Sequence, residues 1–276
     1  MKEIQQSLLY ADYIRHLGWK VMTVDHTNIF LKNFPFVGGI AKIHRPSTLP
    51  NIKRLCAVLR EQKIRSVSVE PACTVNQKRF DKWMKKLSQY ILINKTYFLP
   101  TKTIHISLTA SEDQIFQHFS EAKRRAVRKA IKNNLKISPS LDIRDLIKIK
   151  NKSAGLFGFV TTSGVKELSQ IFAPSHAAIL LAQKNIGISC VVGGILLLFW
   201  QKTAYYWIAG ATNDGKRLFA PTLLVWEAIK FAKRRGCTTF DFVGVWDERM
   251  PHKFHDWKGF TKFKEGFGGS PIYYPL

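Results

Sequence analysis

One order of segments occurs twice in this chain, and it limits the fold more than any single motif does. Residues 20–24, 29–32 and 38–44 read as short strands. Residues 51–63 then read as a helix with Leu55, Val58 and Leu59 on one face, and residues 65–70 alternate as a strand until Pro71 stops it. Residues 178–183, 188–199 and 204–211 repeat the meander, with turns at Lys184-Asn185 and Gln201-Lys202. A loop over 212–217 leads to a helix over about 221–235, with Pro221 suited to its first turn and Gly236 ending it, and residues 238–243 form a strand. A helix over residues 1–17, ending at Gly18, precedes the first copy.

Two copies of one mixed unit predict an α/β (α+β) chain of twin domains, and the element order is similar to that of the acetyltransferase-like (GNAT) fold. The expected division is 1–140, including a basic junction helix over about 112–136, and 141–276. Acetyl transfer from coenzyme A needs a glycine-rich turn where the helix begins, so that backbone N–H groups cradle the pyrophosphate. NDGKRLFAPTLL at 213–224 has one early glycine, Gly215, followed by bulky Leu218 and Phe219, and Pro221 removes a donor. The first copy has RPSTLP. Neither fits coenzyme A, and no cofactor is expected.

Charge narrows the partner. Lys and Arg number 43 against 19 Asp and Glu, a net charge of +24, which implies a polyanion: nucleic acid or an anionic membrane surface. The excess is densest in EAKRRAVRKAIKNNLK at 121–136, where Lys123, Arg124, Arg125, Arg128, Lys129, Lys132 and Lys136 face one acid, Glu121, and leave Val127, Ala130 and Ile131 as the apolar stripe. Like charges three and four apart repel. Guanidinium forks bind phosphate in pairs of hydrogen bonds, so this helix is the first candidate for an RNA backbone contact.

Four scattered cysteines form no C-x-x-C pair and fit a reducing compartment. The longest apolar run, 190–200, is too short to span a bilayer, and no signal-peptide core opens the chain, so the cytoplasm is expected. His252, His255 and Asp256 lack a third histidine, and no metal is expected. Phe34, Phe36 and Val37 form an apolar loop for which core burial is expected, with docking onto a membrane-held acceptor as the alternative.

The richest stretch is WKGFTKFKEGFGGSP at 257–271, where Gly259, Gly266, Gly268 and Gly269 alternate with aromatics around Lys262 and Lys264. Two readings stand side by side. It is a glycine-rich hairpin closing a sheet, or its free N–H groups form an anion-binding concavity beside a mobile lysine.

Several stretches resemble the Fem family of aminoacyl-tRNA-dependent peptidyltransferases, which attach amino acids to the peptide stem of bacterial cell-wall precursors. They are QQSLLYADYIRHLGWK at 5–20, GGIAKIHRP at 38–46, KRRAVRKA at 123–130, LLVWEAIKFAKRRGCTTFDFVG at 223–244 and, most specific, FKEGFGG at 263–269. The resemblance implies twin GNAT-like domains without metal or coenzyme A, an acceptor side in the first domain and an aminoacyl-tRNA side in the second, and here no coiled-coil arm. It implies that Lys264, beside Phe263, works at the reacting ester, and that Arg15, Lys202 and Tyr206 hold the acceptor, a UDP-linked or lipid-linked muropeptide. Arg124, Arg128, Lys129 and Lys262 are expected on the tRNA, and the N–H groups of Gly266, Gly268 and Gly269 on the developing anion. Family sequences often carry an acid where this chain has Ser107. A monomer is expected, in peripheral contact with the inner face of the plasma membrane. The rival readings are transfer from tRNA to a protein N-terminus, N-acyl transfer of the GNAT kind, and a non-catalytic RNA-binding module.

Overall fold

The computed structural model describes residues 3–36, 38–153, 162–186, 188–253 and 255–276. The chain forms two compact units, residues 1–102 with 272–276, and residues 103–271.

In the first unit, Ser7 caps α1 (Leu8–His16) by accepting the Tyr10 N–H. A sheet of order β1-β2-β3-β4-β5 follows, from β1 (Lys20–Val24), β2 (Thr27–Phe34), β3 (Gly38–His44), β4 (Ile64–Glu70) and β5 (Leu92–Ile93). Asn51 caps α2 (Ile52–Glu61), which connects the parallel strands β3 and β4. Leu55 and Leu59 of α2, with Phe80 and Leu87 of α3 (Gln77–Leu87), close the core over Ile43, Val67 and Val69.

The second unit is built on a sheet of order β12-β6-β11-β10-β9-β8-β7. In chain order its elements are β6 (Lys102–Ser107), α4 (Glu112–Gln117), α5 (Glu121–Lys132), β7 (Leu135–Ser140), α6 (Arg144–Ser153) and α7 (Val165–Phe172). Then come β8 (Ala177–Ile186), β9 (Ile188–Trp200), β10 (Thr203–Ala211), α8 (Asn213–Arg217), α9 (Ala220–Arg234), β11 (Thr239–Asp241), α10 (Lys258–Glu265) and β12 (Ser270–Tyr273). The meander, helix and strand read from the sequence are all present in both units. Among the described residues no helix is long and apolar enough to cross a membrane.

The units divide elsewhere than at residue 140. β6 pairs antiparallel with β11, setting Ile106 against Phe240, and Val127 and Ala130 of α5 join Phe240, Phe242 and Phe267 in the second unit's core. The junction helix is therefore part of that unit, because its buried apolar side chains pack there. Three local readings change as well. β8 runs past the turn expected at Lys184-Asn185, the loop at 212–217 contains the one-turn helix α8, and Ile131 is exposed rather than part of the apolar stripe.

The stretch 257–271 is not a hairpin. Residues 258–265 form α10, and the glycines after it allow close backbone packing. A side chain at Gly268 would meet the His118 carbonyl oxygen at 2.9 Å, and one at Gly269 would meet the His105 carbonyl oxygen at 2.5 Å; both glycines have positive φ, +76° and +94°. Left-handed backbone costs a residue with a Cβ about 1 kcal/mol or more before any clash. Gly269→Ala is therefore expected to destabilise the fold by at least about 2 kcal/mol, read as a lower midpoint in urea; an unchanged midpoint would remove this account of the glycine.

Candidate active site

In the second unit β10 and β11 separate. They pair in parallel only where Thr203–Tyr205 face Thr239–Asp241, yet β10 continues to Ala211, laddered to β9 alone, with a bulge between Tyr206 and Ile208. The corresponding strands of the first unit, β3 and β4, pair from Gly39 to His44 without such an opening. A wedge-shaped gap between two parallel strands is thus a property of the second copy.

The wedge opens because the chain leaves β11 through a tight turn. The Gly244 N–H donates to the Phe242 carbonyl at 2.8 Å around Val243, whose φ is +66°. This is a γ-turn in its strained form, and a β-branched residue there is an outlier. Two charged side chains hold it. Asp241 Oδ1 accepts from the Val243 N–H at 2.7 Å and from Thr103 Oγ1 at 2.5 Å, while its Oδ2 lies 3.3 Å from His105 Nε2. Burial pushes the Asp241 carboxyl upward, but its contacts with His105, Thr103 and the Val243 N–H outweigh that and bring it below its usual range. Lys264 Nζ donates to the carbonyls of Phe242 at 2.9 Å and Gly244 at 2.6 Å, one on each side of Val243.

Lys264 is 8 % exposed. Burial lowers its pKa to about 7; the charge of Asp241 opposes the shift and that of Lys150 adds to it. The Nζ lies 4.9 Å from the Phe260 ring centroid, 5.5 Å from that of Tyr206 and 5.9 Å from that of Phe242. An ammonium has three N–H donors. Two are spent on the γ-turn, which leaves one for a third acceptor, or a lone pair when the amine is neutral. The lysine expected from the sequence to be mobile is instead fixed and nearly dry. Close by, the Trp246 N–H donates to Thr261 Oγ1 at 2.7 Å, and the Trp246 indole Nε1 is buried without a hydrogen-bond partner among the described residues.

Other expected site residues fall in distinct places. Tyr206 lines the wedge, its phenol raised above the usual range by burial. Phe263 packs on Phe267 at 5.1 Å and lies 3.6 Å beneath Lys123 Nζ, so it supports α10 against α5. Lys202 is exposed in the β9–β10 turn at φ +62°, roughly 13 Å of strand from Tyr206 at β-sheet rise. The structure does not bring those two together. Arg15 belongs to the first unit, exposed and 2.5 Å from Asp12.

In the stretch expected to hold an anion, the Gly268 N–H is engaged within the chain. The Phe267 N–H donates to the Lys264 carbonyl and the Gly268 N–H to that of Glu265, both at 3.0 Å, while the Gly266 carbonyl accepts from the Ser120 N–H. These groups finish α10 and tie it to α5. Arg124 Nη1 donates to the carbonyls of Gln117 at 2.8 Å and Phe119 at 2.7 Å, so part of its guanidinium is engaged within the unit. Arg128, Lys129 and Lys262 are exposed, as are Lys132 and Lys136.

The sequence reading missed His105, Lys150 and Trp246. His105 had one usable signal, its place opposite Asp241 in adjacent strands, but that pairing crosses well over a hundred residues of chain. Ser107 pairs across from Thr239, two residues before Asp241, the buried carboxylate of this strand pair.

Residues 163–274 match the family model described as the FemAB family. Among solved structures the chain is similar to FemX, at 15 % identity and a TM-score of 0.74, covering 99 % of this chain and 90 % of that one. It is also similar to the C-terminal domain (DUF2156) of a putative lysylphosphatidylglycerol synthetase from Agrobacterium fabrum, at 12 % identity and a TM-score of 0.62, covering 98 % and 87 %. A tandem GNAT protein from the clavulanic acid biosynthesis pathway shares 8 % identity at a TM-score of 0.52, covering 90 % and 77 %. No curated protein matches the chain. The fold is shared with these structures, so the twin GNAT-like architecture read from the repeat holds.

The low pKa of Lys264 has a stability consequence. Between about 7 and the ordinary lysine value of 10.5, the unfolded chain holds a proton that the folded chain has released. Stability contributed by this group therefore rises with pH across that window and is flat below it. Denaturant melts of wild type and Lys264→Met at several pH values are expected to differ increasingly in favour of wild type from pH 7 upward; a constant difference would mean that Lys264 titrates normally.

Proposed function

We propose that this chain is a member of the Fem family, an aminoacyltransferase that moves an amino acid from aminoacyl-tRNA to an amine on the peptide stem of a peptidoglycan precursor. The observation that carries the reading is Lys264, held in the wedge between β10 and β11 with one N–H unspent. The acceptor amine attacks the ester carbonyl, a C–N bond forms and the C–O bond to the tRNA ribose breaks. The proton lost by the amine ends on the ribose oxygen. An aminoacyl ester is already activated, so much of the rate comes from placing the amine at attack distance. The third N–H of Lys264 is suited to the oxyanion that develops on the carbonyl, in a site where little water weakens it.

In this reading residues 103–271 hold the aminoacyl-tRNA and the first unit serves the acceptor, with Arg15 among its contacts. Tyr206 lines the place where the two reactants meet, and Lys202 meets a more distant part of the acceptor. The RNA backbone runs along the exposed cations Arg128 and Lys129 of α5 and Lys262 of α10. A UDP-linked and a lipid-linked muropeptide present the same stem, and one transfer chemistry serves both.

Oxyanion stabilisation needs the protonated lysine. Single-turnover transfer is expected to fall above pH 7 in wild type, and in Lys264→Arg that alkaline limb is expected to move up by two units or more. Lys264→Met should lower transfer about 10²- to 10³-fold at pH 7. Wild-type turnover in Lys264→Met, with charged tRNA and a muropeptide nucleotide as acceptor, would rule out this role. Running a peptide with a basic N-terminus alongside the muropeptide separates the two acceptor classes. Arg128→Gln with Lys129→Gln should weaken tRNA binding and reduce the slope of log K against log salt by roughly 0.7–0.9 per lost phosphate contact.

A further inference from the structure

The first unit carries an apolar tip and an arginine-lined cavity that the transfer chemistry does not use. At the β2–β3 turn, Phe36 is fully exposed and Phe34 is 38 % exposed. Core burial expected for this segment does not occur for either side chain; Val37 lies outside the described residues. Phe36 also holds φ +65°. A bulky residue in left-handed backbone costs energy that Asn or Gly would avoid. Neither packing nor backbone preference accounts for a phenylalanine there.

The strand that follows begins at Gly38, whose α-carbon is packed against the side chain of Arg65. Arg65 continues into a cavity of about 280 Å³ lined also by Arg60, Tyr90, Ile91 and Leu92. Tyr90 is 60 % and Leu92 70 % exposed. Arg60 and Arg65 have no side-chain hydrogen bond or ion pair among the described residues. Acids on the same surface are few: Glu61 is the neighbour of Arg60 in sequence and accepts from Gln62 Nε2. The unit as a whole has eighteen Lys and Arg against six Asp and Glu, so its own carboxylates cannot neutralise this face.

We infer that the β2–β3 tip and the Arg60–Arg65 cavity form a docking surface for an anionic phospholipid bilayer. Phe36 and Phe34 enter the headgroup–acyl boundary while the two guanidiniums pair with lipid phosphates. The combination decides for lipid over RNA. Each of two phosphate-binding arginines suits either partner, but projecting phenylalanines with rim residues Leu92 and Tyr90 suit an interface with hydrocarbon beneath it. Lysine and arginine near an anionic surface each contribute about fivefold in affinity at physiological salt. The inference is independent of the transfer reading, since it concerns binding by a surface in the first unit.

The test uses the full chain and vesicles of phosphatidylcholine with or without phosphatidylglycerol, by co-sedimentation at fixed salt. Binding is expected to require phosphatidylglycerol. Phe36→Asn, which tolerates the left-handed backbone, should weaken it at least tenfold, and Arg60→Gln with Arg65→Gln should weaken it roughly twentyfold. Lys78→Gln with Lys82→Gln removes the same charge from exposed positions on α3 and should change it much less. Equal losses for the two charge pairs, or no loss for Phe36→Asn, would reduce the binding to general electrostatics and overturn the proposal. A loss of tRNA binding without a loss of vesicle binding in the Arg60/Arg65 variant would assign the surface to RNA. Inorganic phosphate that displaces the protein from vesicles at millimolar concentration would point to a small-anion site and count against it equally. Thermal melts of each variant confirm that folding is intact, and a variant that does not fold is replaced by Phe36→Gly or by Arg65→Gln alone.

Discussion

Lys264 bridging two carbonyls across a left-handed valine is the contact on which the second unit's architecture turns. A strained backbone residue costs on the order of 1–3 kcal/mol. A hydrogen bond to a charged donor returns roughly 1.5–3 kcal/mol, and Lys264 makes two, with Asp241 adding a third charge-assisted bond through the Val243 N–H. The turn is thus over-determined, and strain of this kind persists only where its surroundings hold it. The cost appears elsewhere, in taking an ammonium out of water, and is visible as the fall in its pKa to about 7. The group is thereby poised between charged and neutral forms at physiological pH.

The two copies of the fold show what that turn accomplishes. In the first unit the β3–β4 ladder continues to the end of both strands, and the Arg45 N–H donates once more to the Glu70 carbonyl. Its interstrand space is filled by backbone hydrogen bonds. In the second unit three residue pairs form and then β11 is diverted, so among the described residues the β10 edge from Tyr206 onward has no paired strand on that side. Duplicated architecture therefore does not mean duplicated chemistry. One copy has a closed ladder between these strands, and the other has a gap.

Much of the frame was legible in the sequence because it rests on local rules. Strand alternation, Pro221 in a first turn and Gly236 after a helix each act within a few residues. The domain boundary was not legible, because β6 joins β11 across more than a hundred residues and no periodicity announces a partner. The cations were misjudged for a related reason. In the run 121–136 every Lys and Arg looks equally free, yet Arg124 satisfies two carbonyls and Lys123 lies over Phe263 and Phe267, its pKa lowered to about 8 by burial. How freely each basic side chain can meet a polyanion is decided by tertiary packing: Arg128 and Lys129 are exposed, while Arg124 is half-buried with its Nη1 on two carbonyls.

The closing motif illustrates the same dependence from the other direction. Its glycines suggested a phosphate cradle, since backbone freedom and anion binding leave the same composition. In the structure they take part in a closed chain of contacts. Gly269 makes room for the His105 carbonyl oxygen, the His105 ring sits against Asp241, and Asp241 fixes the Val243 N–H. Val243 is spanned by Lys264, which stands one turn and a half of chain before Gly269. Each member constrains the next, and the last returns to the first. The spacing between the lysine and the glycines is then a geometric requirement of that circuit: lengthening or shortening it by one residue would rotate Lys264 about 100° around its helix and take its ammonium off the turn. The lysine is held on its turn because the glycines are positioned for packing.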